Sequence, residues 1–307
     1  MSTPSTPFPE GAGEDYRAQA ARGGDESEKP VGPDNPPWGL PGALLLLALS
    51  FILMAVAQAV CLLPYASSRG VPFTPEAVAD FALKDPGALF VQVVSIIPAH
   101  VLTLALAWLI VTRGGKHPFL RTLGWESDSR LTFWRSAALA VLLLVVGSAV
   151  IWVTGSTENA LERLIQSSRA AALATAFAAT FTAPLVEEIV FRGLLYSALK
   201  RLAGTAGAVA VVMLLFAAIH VPQYWPSYGV IVTILLLSFA LTYVRAWTGK
   251  LLPCFIVHLV FNAIQSFIIV LNPYIEQLGP QKPTAPAPGA LLLTVVESLV
   301  RALAPHA

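Results

Sequence analysis

Apolar residues run through this chain in long blocks rather than at alternate positions or on one helical face. Seven such blocks lie at approximately 40–64, 87–112, 134–154, 170–199, 205–221, 228–247 and 251–272. Most are near the ~20 residues that a helix needs to cross hydrocarbon. An isolated strand cannot satisfy its backbone in lipid, so all seven are expected to be helices. The pattern therefore predicts an all-α fold, a polytopic transmembrane helical bundle of about seven to eight spans. The block at 170–199 would run about 45 Å if wholly helical, so it is expected to tilt, to bend at Pro184, or to begin outside the core. A last apolar stretch, Ala290 to Leu303, carries Glu297 and Arg301 one turn apart. It is expected on the membrane surface or against the bundle.

Composition agrees with the pattern. Hydrophobic residues make up 56% of the chain and charged residues only 12%, far from a soluble domain. The formal net charge of +1 comes with no basic stripe, which excludes a nucleic-acid partner. Cys61 and Cys254 both fall inside apolar blocks and have no metal or disulfide spacing. Residues 1–36 carry seven acids against three bases among Pro, Gly and Ser, and read as a disordered cytoplasmic tail. The organisation expected from there on is N-terminal transmembrane helices over 37–160, a core over 161–272 that holds the polar clusters described below, and a Pro-rich segment with a short helix over 273–307.

Lys and Arg in the short loops set orientation. Arg113, Lys116, Arg121, Arg130, Arg135, Lys200, Arg201, Arg245 and Lys250 fall in loops on one side, against Arg69, Lys84, Arg163 and Arg169 on the other. The N-terminus is accordingly expected in the cytoplasm of a multi-pass integral membrane protein.

Against this background, Glu187-Glu188-Ile189-Val190-Phe191-Arg192 places two carboxylates and a guanidinium at membrane depth. Each such charge costs about 2.5–3.5 kcal/mol on insertion scales, so the cluster must face a protein interior or a water-filled cavity. Glu188 and Arg192 share a helix face and can form a structural ion pair, while Glu187 points about 100° away and is not explained by that pair. In the next block Phe216 and His220 are one turn apart; alone, His220 reads equally as a satisfied interior histidine. His258 and Asn262 repeat the i, i+4 spacing, where an interhelical hydrogen-bonding pair is the plain alternative. His100, after Pro98-Ala99, has no charged companion nearby in sequence and is taken as structural.

Counting 1.5 Å per residue from the loop ends puts Glu188 about 17 Å, His258 about 10 Å and His220 about 18 Å deep, roughly one layer. That requires the Gly204-Thr205-Ala206-Gly207 turn to stay outside the helix. If the fifth helix begins at Leu202, His220 lies about 27 Å deep and the groups converge less well.

Glu-Glu-x-x-x-Arg, Phe-x-x-x-His and His-x-x-x-Asn, in that order on separate membrane helices, resemble the CAAX-protease and bacteriocin-processing family of intramembrane endopeptidases. The flanks Ala183-Pro184-Leu185-Val186, Phe191-Arg192-Gly193-Leu194-Leu195 and Thr248-Gly249-Lys250-Leu251 extend the resemblance over roughly 170–270. It implies that Glu187 activates a water, that His220 and His258 complete the water or metal site, and that Asn262 donates to an oxyanion. Glu188, held by Arg192, would support them, with Phe216 packed beside the site. The cofactor stays open: two imidazoles and a carboxylate suit Zn2+ with one free position, with His220 and His258 as metal ligands, and a metal-free Glu-activated water suits them equally. The implied partners are a peptide or membrane-protein substrate and the lipid bilayer. Two other readings compete, a non-proteolytic scaffold or immunity-type protein of the same fold and a proton-coupled transporter. No internal repeat or pair of matched broken helices favours the transporter.

Overall fold

The computed structural model describes residues 31–278, with side chains through 271. The expected surface segment at 290–303 and most of the N-terminal tail lie outside the described residues. Among the described residues there are helices and turns and no strand. The helices are α1 Leu40–Ser68, α2 Pro75–Lys84, α3 Pro86–Thr112, α4 Phe119–Leu123, α5 Phe133–Thr154, α6 Ala160–Ser167, α7 Arg169–Phe177, α8 Ala183–Glu187, α9 Tyr196–Tyr224, α10 Tyr228–Thr248 and α11 Leu252–Leu278. Two wide π-turns, Ala178–Thr182 and Glu188–Leu195, join α7 and α8 to the start of α9 without a break.

Six of these segments are long and apolar enough to cross a membrane, one of them the 56-residue run Arg169–Tyr224. That run is not straight. Unbroken, it would separate Glu187 from His220 by about 50 Å at 1.5 Å per residue, yet their side chains lie 3.9 Å apart. The chain reverses at Gly204, whose φ of 69° and ψ of 179° are open to glycine and strained for an L side chain. The reversal accounts for the two separate blocks expected at 170–199 and 205–221, and brings the number of passes to seven.

Local sequence explains the helix starts. Thr74-Pro75 and Asp85-Pro86 each pair a capping side chain with a proline at the first helical position. Thr74 Oγ1 accepts from Ala77 N and Asp85 Oδ1 from Ala88 N. The short helices α2, α4 and α6 were not among the expected blocks, being too short and too polar to register as spans.

Exposed aromatics mark two belts. Trp134, at one end of α5, is 78% exposed and Trp152, at the other, 74%. They are eighteen residues apart, about 27 Å, close to the ~30 Å hydrocarbon thickness. Trp225 and Tyr228 are also exposed, at the Trp152 end of the neighbouring helices.

The basic loops gather at the Trp134 end through direct contacts. Arg113 donates to Pro37 O, Arg201 to Trp38 O, Lys200 pairs with Asp34 at 2.8 Å, and Lys250 pairs with Glu126. Arg130 holds Asp128 in a two-point ion pair, which pushes that carboxyl down to about 2. The tail expected to be disordered through residue 36 is therefore ordered over 31–36: these residues are tied down by Lys200 and Arg201, and Pro36 is buried. Trp38 follows, 5% exposed, its indole donating to Leu194 O at 3.1 Å.

Trp38, Leu46, Ala107 and Val111 share one buried core with Ile189, Phe191, Leu194 and Phe216. The N-terminal helices and the segment expected to be catalytic are thus packed as one body. At the α5–α10 crossing the backbones meet closely. A Cβ on Gly147 would lie 2.4 Å from Thr233 Cγ2, and one on Gly229 would lie 3.0 Å from Ile151 Cα.

Candidate active site

The site begins with Pro184, which has no N–H to offer the preceding turn. In the first π-turn the Ala183 N–H bonds to Ala178 O, five residues back. Ala179 O would then need the N–H of residue 184, and residue 184 is proline. Its donor comes from another helix: Asn262 Nδ2 bonds to Ala179 O at 2.8 Å. One amide hydrogen of Asn262 is thus anchored, the second remains, and the side chain lines the cavity.

The second π-turn carries Glu188 and Arg192, both completely buried and paired at 3.0 Å. Arg192 also donates to Thr242 Oγ1 at 3.2 Å and Ser238 Oγ at 2.9 Å, and its guanidinium sits 4.3 Å over the Phe216 ring. Thr242 and Ser238 were not read as site residues, because hydroxyl side chains in an apolar helix are common and carry no spacing signal. Phe216 packs edge-on against Phe191 and tilted against His220, which fixes the depth of both.

Both histidines have their Nδ1 atoms occupied. His220 Nδ1 lies 2.7 Å from Phe216 O, and a carbonyl can only accept, so the proton is on Nδ1. His258 Nδ1 lies 2.9 Å from Glu188 Oε1, which already accepts from Arg192. A histidine held this way presents its Nε2 lone pair outward. The two Nε2 atoms lie 3.9 Å and 3.7 Å from the two carboxylate oxygens of Glu187. Those gaps are too long for direct hydrogen bonds and short enough for one small oxygen species to touch all three groups.

Glu187 and His220 are about one-fifth exposed, onto a cavity of about 430 Å³. The structure thus brings Glu187, Glu188, Arg192, His220, His258 and Asn262 together. It also adds His100, read as structural from sequence: its Nδ1 is 2.9 Å from Thr182 Oγ1, and the ring lines the same cavity. The contact comes from residue 182, 82 positions away, beyond any spacing rule.

The donor set, two Nε2 lone pairs and a carboxylate, is the kind that holds zinc. The observed separations exceed the roughly 3.3 Å edge of a tetrahedral site with 2.0–2.1 Å bonds. Among the described residues no group of three His, Cys, Asp or Glu closes to metal-holding geometry. The residues suit the ion in kind, and their spacing would have to contract by about half an ångström to grip it.

Fold and site together define a multi-pass membrane protein with an acid–imidazole centre between its apolar helices, opening onto a cavity. Residues 169–264 match the family model of the type II CAAX prenyl endopeptidase, Rce1-like, the membrane protease family that the three motifs resemble. All six residues of the centre fall inside that match. Neither a curated protein nor a solved structure matches the chain.

Proposed function

We propose that this protein is an intramembrane endopeptidase that hydrolyses a peptide bond near the membrane surface, with Glu187 as the general base. The observation that carries this reading is the convergence of Glu187 on two imidazole lone pairs at 3.7 and 3.9 Å, beside a cavity of about 430 Å³.

In this reading a water among Glu187, His220 and His258 loses a proton to the Glu187 carboxylate as its oxygen attacks the peptide carbonyl carbon. The free amide hydrogen of Asn262 meets the developing oxyanion, a role worth about 10²–10³ in rate where it has been removed elsewhere. As the tetrahedral intermediate collapses, the C–N bond breaks and Glu187 returns its proton to the leaving amine. Glu188 touches no substrate; it holds His258 through Nδ1 and is itself neutralised by Arg192. Zinc would be held by His220 Nε2, His258 Nε2 and Glu187, and would supply Lewis-acid polarisation of the carbonyl. Taking the basic end as cytoplasmic places the N-terminus inside, and the cavity, which runs from Glu187 toward Asn159 and Tyr224, leads to the opposite face.

The test uses detergent-purified wild type and Glu187→Gln, a mixed library of membrane-proximal peptides, and metal content measured on the same samples. Cleavage by wild type, reduced at least about 10²-fold in the variant, is expected for loss of a general base. Stoichiometric zinc in wild type, lost in His220→Ala and His258→Ala, would assign it to this site. Undiminished cleavage by Glu187→Gln would remove Glu187 as the base, and no cleavage by wild type across the library would turn the reading toward a peptide-binding scaffold.

A further inference from the structure

Two acids are buried against this cavity or its wall, and their surroundings differ. Glu188 faces Arg192 and His258. Glu162, on α6, is 4% exposed and among the described residues has one hydrogen-bonding partner, the neutral Asn159, whose Nδ2 donates to Oε1 at 3.1 Å. Asn159 Oδ1 in return accepts from Glu162 N, so the pair forms a cap at the start of the helix. A capping glutamate normally faces water, whereas this one faces the cavity.

Burial pushes the Glu162 carboxyl up, exposed Glu158 adds to that, and Asn159 and Arg163 oppose it. A buried acid with so little compensation is unfavourable unless a donor arrives. Thr175 Oγ1, on α7, is buried and makes no hydrogen bond among the described residues. Glu162 and Thr175 stand six and seven residues on either side of Ser168, which caps α7 at the turn between the two helices. The same cavity is also lined by Leu161, Ile165, Ile151 and Ile268.

We infer that Glu162 and Thr175 form a recognition subsite for the cationic side chain of a lysine or arginine, carried within an otherwise apolar peptide segment. An ammonium or guanidinium has several donors, enough for the Glu162 carboxylate and Thr175 Oγ1 together, and brings the charge that Glu162 lacks. The apolar walls accept the flanking residues, and the same cavity leads to Glu187. The inference rests on the peptidase reading for what happens after binding, but binding itself does not require catalysis.

The experiment separates the two. Full-length Glu187→Gln protein in detergent is titrated with a dye-labelled 15-residue peptide of Leu, Ala and Val containing one Lys, and with its twin carrying Gln in place of that Lys. The Lys peptide is expected to bind at least about tenfold tighter, the scale of a hydrogen bond to a charged group. Adding Glu162→Gln, which keeps the cap, should bring the ratio of the two affinities near one. Thr175→Val should reduce it in part, and Glu162→Lys should invert it toward a Glu-containing twin. Equal affinities in the Glu187→Gln background, including no binding of either peptide, would overturn the subsite, as would a ratio unaffected by Glu162→Gln. A Lys preference abolished by Glu162→Gln, together with no cleavage by wild type, would keep the subsite and remove the peptidase reading.

Discussion

Replacing Arg192 by Met should destabilise the fold far more than its volume suggests. The side chain is fully buried, and it provides the charge opposite Glu188, hydrogen bonds to Thr242 and Ser238, and a cation over Phe216. Methionine fills much of the same space, so little of the effect comes from a cavity. What remains is a carboxylate with no exposure, one donor at Oε1 from His258, and none at Oε2. Removing one partner of a buried pair costs about 3–5 kcal/mol. Removing both should restore most of it. Thr242 Oγ1 already donates to the Ser238 backbone carbonyl at 2.7 Å, so the Thr242 hydroxyl keeps a partner while Ser238 Oγ loses its Arg192 donor, and Gln at position 188 can still accept from His258. Glu188→Gln/Arg192→Met is therefore expected within about 1–2 kcal/mol of wild type, and Arg192→Lys between the two, since an ammonium lacks the planar fork that spans three acceptors. The assay is unfolding in mixed micelles by SDS titration, with buried Trp38 among the reporters. A loss under about 1 kcal/mol in the single variant would refute the argument, because it lies well below the range for a broken buried pair. A double variant as unstable as the single would assign the loss to packing on Phe216 instead.

Two further perturbations test other parts of the bundle. Gly229→Ala places a Cβ 2.3 Å from Thr154 Oγ1 and 3.0 Å from the Ile151 backbone, so α5 and α10 must separate; a loss of about 1–3 kcal/mol in the same titration is expected, and wild-type stability would show that the crossing is loose. Lys200 holds the Asp34 carboxyl below its usual range. The folded pKa is depressed, so the latch is complete above about pH 4, the ordinary carboxyl value, and is lost as pH falls through the lowered one. A nitroxide at Val31→Cys, on a background lacking Cys61 and Cys254, should be immobile at pH 7 and mobile in strong acid. Asp34→Asn should mobilise it already at pH 7, and an immobile label in that variant would remove Asp34 from the latch.

The residues that could be found in advance were those whose charge is expensive in lipid. Glu187, Glu188 and Arg192 stand out within a stretch of about thirty otherwise mostly apolar residues, and the i, i+4 spacing of Phe216 with His220 and of His258 with Asn262 already puts each pair on one face. What holds them was hidden for identifiable reasons. Thr242 and Ser238 are neutral and small. His100 depends on a hydroxyl 82 positions away. The bond from Asn262 depends on a carbonyl left free by a π-turn and a proline together, a conjunction that periodicity does not encode. The ordered stretch 31–38 looks like tail by composition, because its partners Lys200 and Arg201 are more than 160 residues further on.

The reversal at Gly204 also governs how this stretch of chain can change over generations. Glu187 precedes the glycine by seventeen residues and His220 follows it by sixteen, and that near-equality brings them to the same depth. One residue inserted in either limb turns everything beyond it by 100° and shifts it 1.5 Å. A full extra turn restores the facing and displaces the imidazole by about 5.4 Å. Outside Glu188, Arg192, Gly204, Phe216 and His220, substitutions between 188 and 220 therefore face only the usual limits of packing, while insertions and deletions in either limb are strongly disfavoured. Length variation among descendants of this chain should collect in the loops that end before Arg169 or begin after Tyr224.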